Sequence, residues 1–109
     1  MIWTACKNGK VGYGFRILLK DRDKYFDEIW HTISIDLPIR RGALRVKCIV
    51  AKESFWKRKK PCLELINKDI GDWFDRRNVN GWTKNKPPKF NAVKVGDRKF
   101  ALSVIRRSP

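Results

Sequence analysis

Bulky apolar residues alternate with polar or small ones along much of the chain, the period-two signature of strands that turn one face to a core. Over residues 11–19, Val11, Tyr13, Phe15, Ile17 and Leu19 alternate with Gly12, Gly14 and Arg16. Residues 29–37 place Ile29, His31, Ile33, Ile35 and Leu37 on one face, with Trp30, Thr32, Ser34 and Asp36 on the other. Pro38 ends that run, and Gly42 opens a turn into residues 43–50, where Leu44, Val46, Cys48 and Val50 alternate with Arg45, Lys47 and Ile49. Two hairpins complete the strand pattern. Residues 2–6 pair with 11–19 across Asn8-Gly9, and residues 90–95 pair with 99–106 across Gly96-Asp97. Gly12 and Gly14 leave one face of the second run bare, which permits a bulge or the close approach of another backbone, and packing is the preferred reading.

Helical signals are fewer. Asp21 is placed to cap a short helix over residues 22–28, and Asn67 to cap a longer one over 68–78. In the longer helix Ile70, Trp73 and Phe74 share the inward side, Asp69 lies in the first turn and Arg76 and Arg77 in the last, the charge order the helix dipole prefers. Residues 62–66 are too few to settle between strand and helix. Residues 78–91 read as a loop that strings Lys84, Lys86 and Lys89 around Trp82 and is stiffened by Pro87-Pro88. The elements predict one α+β domain over residues 1–109, mostly β: a small open barrel or coiled antiparallel sheet of about six to seven strands with one or two short helices.

Charge changes the picture from fold to partner. The 109 residues carry a net charge of +15, of which residues 40–60 hold +8 and residues 76–99 hold +7, separated by −3 over residues 61–75. Self-repulsion on that scale weakens folding unless an anion lies over it. A 42% hydrophobic content excludes a disordered basic tail. The expected partner is therefore nucleic acid, DNA or RNA, bound without catalysis. Phosphates would be held by Arg40, Arg41, Arg45, Lys47, Lys57, Arg58, Lys59, Lys60, Lys84, Lys86 and Lys89, and Trp56 or Trp82 would touch bases or sugars. Trp3, Trp30 and Trp73 are read as core. If the fold joins the two basic blocks they make one cleft; otherwise they form two weaker sites.

Other chemistry is thin. The only histidine is His31, on an apolar strand face, and neither a metal-binding carboxylate cluster nor a Gly-rich phosphate loop is present in the sequence. No cofactor and no metal are expected. A metal-independent ribonuclease using groups on a basic groove stays open as one alternative, and a protein-interaction module docking on an acidic or nucleic-acid-handling partner as another. Cys6, Cys48 and Cys62 lack CxxC spacing and are expected to be reduced, buried thiols. No apolar run approaches a membrane span of about 18 residues, and the start MIWTACKNGK lacks a signal peptide's apolar core. No membrane partner is expected, and the expected location is intracellular, cytoplasmic or nucleoid-associated. The oligomeric state is not specified by these features.

The order of elements, with Phe15, Asp21, Asp23, Gly81, Trp82, Gly96, Asp97 and Phe100 at corresponding places, resembles the plant-type transcription-factor and restriction-endonuclease DNA-binding pseudobarrel family. Pro87-Pro88 and the long lysine loop depart from that pattern. The resemblance implies a seven-stranded open barrel gripping duplex DNA in the major groove with two arms. Arg16, Lys20 and Arg22 would lie near the first, and Arg45, Lys47 and Lys52 near the second.

Overall fold

The computed structural model describes residues 1–8, 12–77, 82 and 86–104. The alternating segments become seven strands of one sheet: β1 (Ile2–Asn8), β2 (Gly12–Arg16), β3 (Thr32–Pro38), β4 (Ala43–Ile49), β5 (Glu64–Ile66), β6 (Lys89–Gly96) and β7 (Lys99–Val104). Their spatial order is β4-β3-β7-β6-β1-β2-β5, and the sheet coils into a half-barrel. Three short helices join it: α1 (Leu19–Tyr25), α2 (Glu53–Trp56) and α3 (Lys68–Arg76). The fold is α+β and mostly β, as the alternation predicted. Two details differ. The pair β3–β7 is parallel, because these strands are distant in sequence and no tight turn dictates their direction. Three helices stand where one or two were expected, because residues 53–56 form a single helical turn.

The two ends of the sheet order, β4 and β5, approach each other, and the Asn67 side chain ties them by donating from Nδ2 to the Lys47 carbonyl. The same residue caps α3, its Oδ1 accepting from the Asp69 N–H at 2.7 Å. One asparagine thus starts the helix and holds the barrel edge. Ile70, Trp73 and Phe74 then enter a core rich in aromatic rings. Phe15 meets Phe90 at 5.4 Å and Phe74 at 5.6 Å, both edge-to-face, the arrangement ring quadrupoles favour. Gly14 is required by close approach: a Cβ there would come within 2.1 Å of the Leu65 carbonyl oxygen on β5.

Several boundaries move, each for a local reason. Asp21 does not cap α1. The helix starts at Leu19, with the N–H groups of Asp21 and Arg22 donating to the Leu18 carbonyl, and both acidic and basic side chains are buried. Pairing of β2 toward β5 continues through Ile17, whose N–H donates to Leu63, so Leu19 leaves the strand pattern for the helix. β3 starts at Thr32 instead of Ile29. The Asp27 side chain accepts from the Ile29 N–H and its carbonyl from the Trp30 N–H, a turn that sends Trp30 inward and leaves Ile29 and His31 exposed. α3 ends at Arg76, with Arg77 as its C-cap. Cys6 and Cys48 are buried as expected, but Cys62 is exposed, because it precedes β5 where only Leu65 turns fully inward. The hairpin tip at Gly9 and the residues 78–81, 83–85 and 105–109 lie outside the described residues. Among the described residues no helix is long and apolar enough to cross a membrane.

Candidate nucleic-acid interface

The β3–β4 hairpin and the end of α3 build the most distinctive basic feature. Pro38 closes β3, and Gly42, at φ +96°, adopts a left-handed conformation that lets the chain reverse over four residues, with the Ile39 N–H donating to the Gly42 carbonyl. The reversal projects Arg40 and Arg41, both exposed, from the end of the barrel. The last turn of α3 is fastened to the same point. Trp73 donates its indole N–H to the Pro38 carbonyl at 2.8 Å, and Arg77 donates to that oxygen from Nη1 at 3.3 Å. The Arg77 guanidinium also lies 5.3 Å over the Trp73 ring.

These contacts enclose a cleft of about 660 Å³ lined by Pro38, Ile39, Arg40, Arg41, Trp73, Arg76 and Arg77. Among the described residues four arginines line it and no carboxylate does. Among the described residues Arg40, Arg41 and Arg76 have no ion-pair partner, so their charge faces the cleft or solvent uncompensated. Guanidiniums beside an apolar floor can hold an anionic group and an apolar face in the same cleft.

The other predicted cations fall elsewhere. Arg45 projects from the outer face of β4 and is paired across the strands with Asp36, Nε to Oδ1 at 3.0 Å. Lys47, also on that face, is exposed. Lys57, Arg58, Lys59 and Lys60 follow α2 beyond the far end of β4, whose seven residues span ~20 Å. All four are exposed, on a loop anchored from below by Arg22, which donates from Nη1 to the carbonyls of Phe55 at 2.8 Å and Lys57 at 2.9 Å. Arg58 lines a second hollow with Leu19, Arg22, Asp23, Glu28 and Trp56, where two carboxylates offset the cations. Trp56 is half-buried: its indole N–H donates to the Val50 carbonyl at 2.9 Å and Arg22 covers one face. Trp82 packs edge-on against Tyr13 and Phe74 at 5.6 and 5.9 Å. Lys86 is exposed in the chain leading to β6, Lys89 is exposed at the strand's first position beside Thr4, and Lys84 lies outside the described residues.

Among the described residues the two basic blocks therefore meet at their leading ends, Arg40–Arg41 with Arg76–Arg77, while Arg45 and Lys47 lie along β4 and Lys57–Lys60 follow α2 past its other end. Arg76 and Arg77 were missing from the sequence-derived set because a helix dipole already accounts for cations in a last turn. The signal that finds them is their position as the first two residues of the second block. The thiols take no part. Burial pushes Cys6 and Cys48 up to about 12, and Cys62 is raised chiefly by its hydrogen bond to Glu64. Comparison of the chain with protein-family models, curated proteins and solved structures finds no match.

Proposed function

We propose that the chain is a non-catalytic nucleic-acid-binding protein whose principal contact surface is the end of the barrel around Arg40, Arg41, Arg76 and Arg77. The observation that carries this reading is the convergence of four arginines, from two segments 35 residues apart, on one cleft that no carboxylate lines among the described residues. A helix dipole accounts for Arg76 and Arg77 at the end of α3 but gives no reason to place Arg40 and Arg41 opposite them. Like charges held together cost stability in the free protein, and a polyanion removes that cost while releasing its own counterions. The exposed Lys86 and Lys89 extend the positive surface along the chain that enters β6.

The test compares labelled duplex DNA, single-stranded DNA and structured RNA at fixed, near-physiological salt, using the wild-type protein and two double variants. Arg41→Gln/Arg76→Gln removes two cleft cations and is expected to weaken binding at least tenfold. Lys57→Gln/Lys59→Gln removes two cations from the far loop and is expected to cost less. Equal losses in both variants would reduce the surface to generic charge, and no binding to any of the three would move the search to an acidic protein partner.

A further inference from the structure

The cleft differs from the rest of the basic surface in two ways, and together they point to a narrower ligand than a nucleic-acid backbone. First, its floor is apolar. Pro38 and Ile39 line it beside the four arginines, and Ile39 is 38% exposed. The sugar-phosphate edge of a continuous duplex offers little to cover such a floor, whereas an unstacked base does. Second, Arg77 is tethered at the cleft: its guanidinium lies 5.3 Å over the Trp73 ring, and the Pro38 carbonyl accepts from one of its N–H groups at 3.3 Å. Arg77 is itself exposed, so its guanidinium keeps surface free for a ligand. Bases stack on arginine planes held in this way in single-strand recognition.

The charge count narrows the ligand further. An internal phosphodiester carries one negative charge and leaves most of a four-arginine cleft unneutralised. A terminal phosphomonoester carries about −1.5 to −2 at neutral pH and presents three acceptor oxygens, which suits several guanidiniums converging from different directions. The volume of about 660 Å³ lies within the range of roughly 300–1,000 Å³ typical of small-molecule pockets.

We infer that the cleft holds one nucleoside phosphate with a terminal phosphomonoester, its base against Arg77 and Ile39 and its phosphate between Arg40, Arg41 and Arg76. The natural source is a phosphorylated strand end or a free nucleotide, and the two share the chemistry the site reads. This inference rests on the nucleic-acid reading above, which it narrows to a terminal phosphate in preference to uninterrupted duplex.

The experiment measures binding of the full chain to a fluorescent eight-nucleotide single strand carrying a 5′-phosphate, a 3′-phosphate or only hydroxyl ends, with unlabelled mononucleotides and inorganic phosphate as competitors. One phosphorylated end is expected to bind at least tenfold tighter than the hydroxyl form. That advantage should grow as pH rises from 5 to 7 and the phosphate takes its second charge. Arg41→Gln/Arg76→Gln should erase the advantage. Arg77→Lys, which keeps the charge and loses the plane, should leave phosphate discrimination intact while abolishing the preference for a nucleotide over inorganic phosphate as competitor. Competition by the mononucleotide as strong as by the phosphorylated strand assigns the cleft to free nucleotides; much weaker competition assigns it to strand ends. Equal affinity for phosphorylated and hydroxyl ends overturns the inference. If strands then still bind with a steep salt dependence, the broader nucleic-acid reading survives, and if they bind not at all it falls too.

Discussion

Arg22 is the cation whose removal has the most sharply defined consequence, because it is 5% exposed in a chain that leaves most of its charge in solvent. Replacing it with methionine keeps much of the apolar stem and deletes the guanidinium. The Phe55 carbonyl, bonded at 2.8 Å in a buried position, then loses its donor, a cost of about 1–3 kcal/mol. The Lys57 carbonyl, part-buried, can recover water and costs about 0.5–1.5 kcal/mol. Loss of the stack on Trp56, 5.3 Å from the ring, adds about 0.5–1 kcal/mol, and the bond to the 60%-exposed Asp23 adds little in solvent. Relief of the buried charge's desolvation offsets part of this sum, leaving a destabilisation of about 2–4 kcal/mol. At about 4–8 °C per kcal/mol for a domain near this size, thermal unfolding followed by circular dichroism should shift down by roughly 8–30 °C. Limited trypsin digestion should show earlier cleavage at Lys57, Arg58, Lys59 and Lys60, whose loop Arg22 anchors. Removing a cation from a +15 chain relieves general repulsion and pushes stability the other way, so the sign separates the hydrogen bonds from the bulk charge. A midpoint unchanged within 2 °C, with the same cleavage pattern, would refute this role for Arg22.

Two further perturbations probe the sheet and the thiols. Gly14→Ala should destabilise by more than the roughly 1–3 kcal/mol of ordinary overpacking, because the new methyl meets the Leu65 backbone instead of a side chain that can yield; denaturant unfolding measures it, and a loss under 1 kcal/mol would contradict the close approach of β2 and β5. For Cys48, 1% exposed, burial raises the thiol from 9.0 to about 12. A raised folded-state value means stability that is complete below pH 9 and is lost as pH climbs toward 12, at about 1.4 kcal/mol per pH unit for this group. A Cys48→Ala variant should show a shallower decline over that window. In the native protein a thiol reagent should modify Cys62 alone, with Cys6 and Cys48 reacting only after denaturation; fast reaction of a second thiol would contradict their burial.

The parts of this molecule visible in its sequence are those decided by neighbours a few residues away. Ile33, Ile35 and Leu37 alternate into the core because a strand's side chains alternate whatever it pairs with, and Asn67 caps α3 through the N–H of Asp69, two positions on. What stayed hidden depends on distant partners. Three-residue β5 becomes a strand only because Gly14 admits its backbone against β2. Arg22 sits in the alternating-sign run DRDKYFDE, where nothing nearby marks it for burial, and it is drawn inward by two carbonyls of residues 55 and 57. Trp56, embedded in cations, read as an open stacking face, but the structure satisfies its indole N–H and covers one side. For the cleft, composition showed two basic blocks and could not say which parts meet. The Pro38 carbonyl decides that by accepting from both Trp73 and Arg77.

The central claim, that the arginine cleft is where the chain neutralises phosphates, is tested most directly by the salt dependence of binding. For wild-type protein and Arg41→Gln/Arg76→Gln, association with a labelled duplex and with the preferred strand should be measured between 50 and 200 mM salt, and the logarithm of the constant plotted against the logarithm of salt concentration. Each phosphate contact contributes about −0.9 to the slope on duplex and about −0.7 on a single strand, so loss of two contacts should make the variant's slope shallower by roughly 1.8 units on duplex and roughly 1.4 on a single strand. Equal slopes for the two proteins would show that phosphates are neutralised elsewhere and would contradict the account.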